Sequence, residues 1–147
     1  MSMKAGAALI LTQLAAITTP AAPSKTVQVP PGFGDRVPKG AKVESWINLE
    51  PTGQDRSDEA NRSGLRQYQF TAHYWVRAVD NALTTTADTI MDMTDALMDK
   101  LAHNTLGGWA RQGIEVADFK ATMEGGGDDD TLYVVRLPFT VWKQETT

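Results

Sequence analysis

The sequence predicts an α+β domain: an antiparallel sheet of about four strands with helices packed on one face, in the order α-β-β-α-β-β. Two patterns predict it. Apolar residues alternate with polar ones in KVESWINLE, RQYQFTAHYWVRAV and TLYVVRLPFTVW, the two-residue period of half-buried strands. Between Asn81 and Asn104 the period changes to that of a helix. A length of 147 residues fits a single domain, 1–147, which buries roughly two-thirds of its unfolded surface.

The first element is expected to be an amphipathic helix in MKAGAALILTQLAAI, with Ala7, Ile10, Leu14 and Ile17 near one face. The same stretch has the outline of an export signal: a basic start, an apolar run from Ala5 to Ile17, and small residues at Ala21 and Ala22. Thr12 and Gln13 interrupt that run, which is too short to span a bilayer. Next comes a Pro-rich excursion, 18–42, in which five prolines rule out a long helix or a central strand. A short edge strand at Thr26 to Val29 is compatible with it.

KVESWINLE points Val43, Ser45, Ile47 and Leu49 one way and Lys42, Glu44, Trp46, Asn48 and Glu50 the other. The polar stretch 51–64 has Ala60 as its one apolar residue apart from prolines and glycines, so it is read as a hairpin arm outside the core. The longest alternation follows, with Tyr68, Phe70, Ala72, Tyr74, Val76 and Ala78 on one face and Gln67, Gln69, Thr71, His73, Trp75 and Arg77 on the other. The long helix then carries an apolar stripe of Ala87, Ile90, Met91, Thr94, Leu97, Met98 and Leu101. Thr85 with Asp88 resembles its capping box, and Lys100 and His103 suit its negative end. Gly107 and Gly108 are expected to stop it.

The last third reads as a hairpin. GIEVADFKATME is expected to place Ala117, Phe119, Ala121 and Met123 inward and Asp118, Lys120 and Thr122 outward. Its partner strand answers with Tyr133, Val135, Leu137, Phe139 and Val141. Pro138 marks an edge, a bulge or a departure from the sheet, because it has no N–H for the ladder.

A sheet covered by helices on one side should be polar on the other. Here Trp46, Trp75 and Trp142 fall in the outward register, joined by Leu132 and Val134. Two explanations stand. Either the register slips or the Pro-rich excursion folds back over these residues, or another subunit buries them, tryptophan being enriched at interfaces.

Candidate chemical sites are few. Without cysteine the chain has no thiolate chemistry, disulfide or cysteine metal site, and two histidines, His73 and His103, make a His-based metal centre improbable. A net charge of -4 and a pI near 5.1 supply no basic field for binding nucleic acid. Asp88, Asp92, Asp95 and Asp99 form a stripe on the long helix opposite its apolar face, at steps of four, three and four. Such a stripe is a solvated face, the lining of a lumen or, far less favoured, a cation site, since no Glu-x-x-His partner accompanies it. The segment Glu124, Gly125, Gly126, Gly127, Asp128, Asp129, Asp130 lacks the spacing of a calcium loop and the lysine of a phosphate loop. It joins two alternating strands and is read as a flexible hairpin tip. No nucleophile elbow or triad pattern occurs, so no catalytic residue, cofactor or metal is assigned.

Taken in order, the helix MKAGAALILTQLAAI, the strand SWINLEP, the polar arm, YQFTAHYWVRA, the helix TADTIMDMTDALMDKL and the hairpin FKATMEGGGDDDTLYVVRLPFTVW resemble the tail terminator, or tail-completion, family of long-tailed bacteriophages. The likeness covers nearly the whole chain and rests on element order and texture. It implies a structural virion protein, not an enzyme, that forms a homo-oligomeric ring, a hexamer, at the head-proximal end of the tail. Such a ring ends tail-tube polymerisation and offers a joining surface to the neck. The partners implied are the tail tube protein and a neck or head-completion protein, with DNA as a passing substrate of the channel and no membrane. The places implied are the virion and, during assembly, the host cytoplasm. Competing readings are another head-tail connector or tail-tube component on a related fold, an exported small binding module, and a metal-dependent hydrolase using the aspartates.

Overall fold

The computed structural model describes residues 2–36, 45–55, 65–77, 83–110, 113–117, 120–124 and 132–144. The chain runs through α1 (Ser2–Ala15), β1 (Lys25–Gln28), β2 (Ser45–Asp55), β3 (Leu65–Arg77), α2 (Leu83–Leu101), a 3-10 turn (Leu106–Gly108), β4 (Ile114–Val116), β5 (Lys120–Glu124) and β6 (Leu132–Gln144). The class is α+β, but the sheet is mixed, and its strand count and element order differ from the expectation. Across the sheet the order is β1-β2-β3-β6-β4, with β5 also paired to β6.

The extra strand is β1, which pairs parallel to β2 from Lys25↔Trp46 to Gln28↔Leu49. The Pro-rich excursion therefore supplies a fifth position in the sheet. Ser24 N–H donates to the Ser45 carbonyl at 2.9 Å, Val29 N–H to the Leu49 carbonyl at 2.9 Å, and Ser45 Oγ to the Ala22 carbonyl at 2.7 Å. Leu49 thus turns its backbone polar groups toward β1, and so, two residues on, does Pro51. By that level β1 has ended, so the missing N–H of Pro51 leaves no ladder partner unsatisfied. This permits β2 to continue to Asp55, past Glu50 where the sequence suggested it would end. A register shift between Pro51 and Gly53 accommodates the bend. The rest of the predicted arm, 56–64, lies outside the described residues.

At the centre of the sheet, β3 and β6 pair without interruption from Leu65↔Gln144 to Arg77↔Leu132. On β6's other side β4 and β5 occupy one position. Val116 faces Phe139 and Lys120 faces Arg136, so the register on β6 shifts by one residue between the two strands. That shift of one residue is a bulge in the pairing, and Pro138 locates it. Ala117 N–H donates to the Pro138 carbonyl at 2.8 Å, which puts the side of Pro138 lacking an N–H toward the bulge.

The bulge also inverts one expectation. Before it Ile114 is buried in the core and Val116 packs against it, while Ala117 is exposed. After it Ala121 and Met123 pair in the ladder with Val135 and Tyr133, and the side chains of 120–124 lie outside the described residues. Phe119 and Asp118 lie outside the described residues.

The main core lies between the sheet and the two helices. Ala7, Ile10, Leu14 and Ile17 enter it from α1 and the residues just after it, so the N-terminal apolar run belongs to this domain's packing. From the sheet come Ile47, Leu49, Tyr68, Phe70, Ala72, Tyr74 and Val76, and the five inward residues of β6. Phe70 and Phe139 stack at 5.6 Å between ring centroids. The side chain of Val43 and that of Ala78 lie outside the described residues.

Helix α2 is rotated relative to its predicted stripe. Met93, Leu97 and Leu101 are fully buried, Ile90, Ala96 and Met98 flank them, and Met91 is 55% exposed. Both methionines fit the helical period within a turn, and only packing against the sheet distinguishes them. Thr85 falls inside the helix, which starts at Leu83, so the capping box is not its start. The helix ends at Leu101, with Lys100 in its last turn, ahead of the glycines expected to stop it.

Tyr74 ties the two layers together by donating its hydroxyl to the Ala21 carbonyl. Burial pushes its phenol up from 10.0 to about 12. The folded chain therefore keeps a proton that the unfolded chain loses, and this contribution is complete below pH 10.0 and lost as pH rises toward about 12. In urea titrations the midpoint is expected to fall across that window, and Tyr74→Phe to flatten the fall. An equal slope in both proteins would show that Tyr74 is not its source.

Candidate assembly surfaces

On the face of the sheet away from the helices, Trp46 and Trp75 are directly opposed across β2 and β3, and their rings stack at 5.6 Å with 10° between planes. Val134 follows on β6 opposite Trp75. Relative exposures are 0% for Trp46, 3% for Trp75 and 0% for Val134, and together they form a second, smaller core. The alternation of the three strands sets this register. The chain alone already buries these three side chains, so their burial does not call for a second subunit.

The cover is the segment that follows β1. Val29 donates its N–H to the β2 backbone at Leu49, and Pro30 and Pro31 then lead into Gly32, whose φ of +88° turns the chain back over the face. The Gly34 carbonyl accepts from Asn48 Nδ2 at 2.8 Å and from Trp75 Nε1 at 3.1 Å, and the Arg36 carbonyl accepts from Asn48 Nδ2 at 2.8 Å. Gly34 lies so close that a Cβ there would sit 2.3 Å from the His73 ring. Of the two explanations drawn from sequence, the folded-back excursion accounts for Trp46, Trp75 and Val134.

Two polar clusters fasten the cover. Glu50 accepts from Gly32 N–H at 2.7 Å with one carboxylate oxygen, and its other oxygen lies 2.7 Å from His73 Nε2. Arg136 Nη2 lies 2.6 Å from Asp35 Oδ1, and its guanidinium carbon is 5.5 Å from the centroid of a Trp75 ring. Trp46 Nε1, Asn48 Oδ1 and His73 Nδ1 are buried without a hydrogen-bond partner among the described residues. His73 therefore sits in a buried polar setting, paired to a carboxylate, which its place among packing residues did not reveal. A sequence signal did exist: a face with two tryptophans needs a cover, and Pro-Pro-Gly is a turn next to it.

The remaining candidates stand apart from this face's centre. Trp142 is half-buried near the opposite edge, with its Nε1 3.5 Å from Glu115 Oε2. Leu132 begins β6, and its side chain lies outside the described residues. Asp88, Asp92, Asp95 and Asp99 are all exposed on α2, the last three lining a shallow groove with Thr18, Thr19 and Lys100. Among the described residues no group of three or more His, Asp or Glu is placed to hold a metal ion, and no helix is long and apolar enough to cross a membrane.

The two hairpins leave the sheet at opposite ends. β2 and β3 are joined beyond Asp55 and Leu65, the end where Leu65 faces Gln144. β5 and β6 are joined beyond Glu124 and Leu132, the end where Leu132 faces Arg77. Between these ends lie the 13 residues of β3, about 40 Å of strand. Glu124 closes β5, while Gly125, Gly126, Gly127, Asp128, Asp129 and Asp130 lie outside the described residues. No protein-family model matches the chain, and no curated protein matches it.

Proposed function

We propose that the chain is a structural subunit of a phage tail, assembling as a hexameric ring at the head-proximal end, where it ends tube polymerisation and joins the neck. The observation that carries this reading is that the β2–β3 and β5–β6 connections lie at opposite ends of one sheet. A terminator must touch the last ring of the tube on one side and the neck on the other. The connection beyond Asp55 is polar in sequence and the one beyond Glu124 is rich in glycine and aspartate, so the two ends differ in chemistry. The exposed carboxylates of α2 support the same reading, since a wall carrying Asp88, Asp92, Asp95 and Asp99 would repel the phosphates of DNA passing through a lumen. Resemblance in element order to the tail terminator family supports it as well, with the qualification that β1 adds a parallel strand to that order.

The test is to add the purified chain to polymerising tail tube protein and measure tube lengths by electron microscopy, with native mass spectrometry of the chain alone and with tubes. Shortened tubes capped at one end are expected, with a six-fold species on the capped tubes. Incorporation along the tube would instead make it a tube component. Unchanged tubes with no bound chain would overturn the reading.

A further inference from the structure

We infer that Pro30–Arg36 is a displaceable strap, able to lift from the Trp46–Trp75–Val134 face while the rest of the domain stays folded. The way the strap is held carries the inference. From Pro30 to Arg36 every residue is exposed except Gly34. Its one large apolar side chain, Phe33, is 53% exposed and so adds little to the small core it crosses. The strap is tied to the sheet through polar groups: the carbonyls of Gly34 and Arg36, the N–H of Gly32, and the Asp35 carboxylate. Water can replace each of these when the strap lifts, so their loss is largely compensated. The ion pair adds little restraint, since the Asp35 side chain is 69% exposed and screened by solvent. By contrast the other face is closed by α1 and α2, whose buried side chains interlock with the sheet and have no comparable way to leave singly.

Lifting would bare two stacked tryptophans and Val134. It would also hydrate Asn48 Oδ1 and His73 Nδ1, which have no partner among the described residues when the strap is down. The inference does not rest on the ring reading and concerns the isolated chain.

The absence of cysteine makes it testable by thiol labelling. Val134 and Val135 are adjacent and fully buried, on opposite faces of β6. In full-length chains carrying Val134→Cys or Val135→Cys alone, the rate of reaction with a small disulfide reagent is measured against urea and normalised to the unfolded chain. The thiol at 134 is expected to react at least about tenfold faster in water, with a shallower urea dependence, because it is reached by local opening. Adding Gly34→Ala should speed labelling at 134 by a further factor of about ten and leave 135 within about twofold, since only the strap is displaced. If that double variant does not fold, Asn48→Ala replaces it, removing the amide that donates to the Gly34 and Arg36 carbonyls, with a several-fold effect at 134 alone. Labelling at 134 no faster than at 135, or an equal acceleration at both positions, would overturn the inference.

Discussion

Deleting residues 1–17 is expected to leave a chain that does not fold. The deletion removes Ala7, Ile10, Leu14 and Ile17, all essentially inaccessible to solvent. At about 1.5–3 kcal/mol for each large aliphatic side chain, Ile10, Leu14 and Ile17 together contribute on the order of 5–9 kcal/mol. That is comparable to the whole stability of a domain, about 5–15 kcal/mol. The loss does not stop there, because the same deletion uncovers part of the sheet and α2, and removes the helix backbone that lies against the Trp109 ring, leaving Tyr68 stacked on it. A Cβ at Gly6 would lie 2.5 Å from the indole of Trp109, which shows how closely the helix backbone approaches that ring. Near-ultraviolet circular dichroism and a thermal melt decide it. A cooperative transition with native aromatic signals in the shortened chain would mean that α1 is an accessory, as a removable export segment would be.

Trp46→Ala is expected to cost about 3–5 kcal/mol, the range for emptying a large aromatic site in a packed core. Part of that cost is the stacked contact with Trp75, about 0.5–1.5 kcal/mol beyond area alone. Urea unfolding of the isolated chain gives the number. Half-buried Trp142 serves as the comparison, and Trp142→Ala should cost much less. A small effect at Trp46 would mean that the tryptophan face is not a core of the monomer.

What could be read from sequence was whatever a two-residue or helical period encodes. The inward faces of β3 and β6 follow directly from alternation, because both strands are paired on both sides and bury a residue at every second position. The acidic stripe was equally legible, since exposure on a helix opposite buried residues is a matter of geometry. The misses share a cause, which is dependence on a distant partner. Whether Met91 or Met93 enters the core is set by the sheet under α2. The face of Ile114 is set by Pro138, 24 positions along the chain. The strap was legible only as one of two explanations for the tryptophan face, because it holds the sheet largely through backbone carbonyls, which every residue has and no composition marks. β1 was only half legible: an edge strand could be placed near Thr26, but its parallel direction could not, since four residues carry no sign of orientation.

That direction has a topological consequence. Two antiparallel neighbours can be joined by a tight turn, whereas two parallel neighbours require the chain to travel back to the level where it started. β1 finishes level with Leu49, and β2 must begin at Ser45. The chain therefore has to travel back, and with one face occupied by helices the described part of its path, Pro30–Arg36, lies on the other. The length of this proline-rich segment, far from being an ornament, is imposed by the connectivity. Shortening the link between Gln28 and Ser45 would force a choice between losing β1 and uncovering the tryptophans, so both should be lost together.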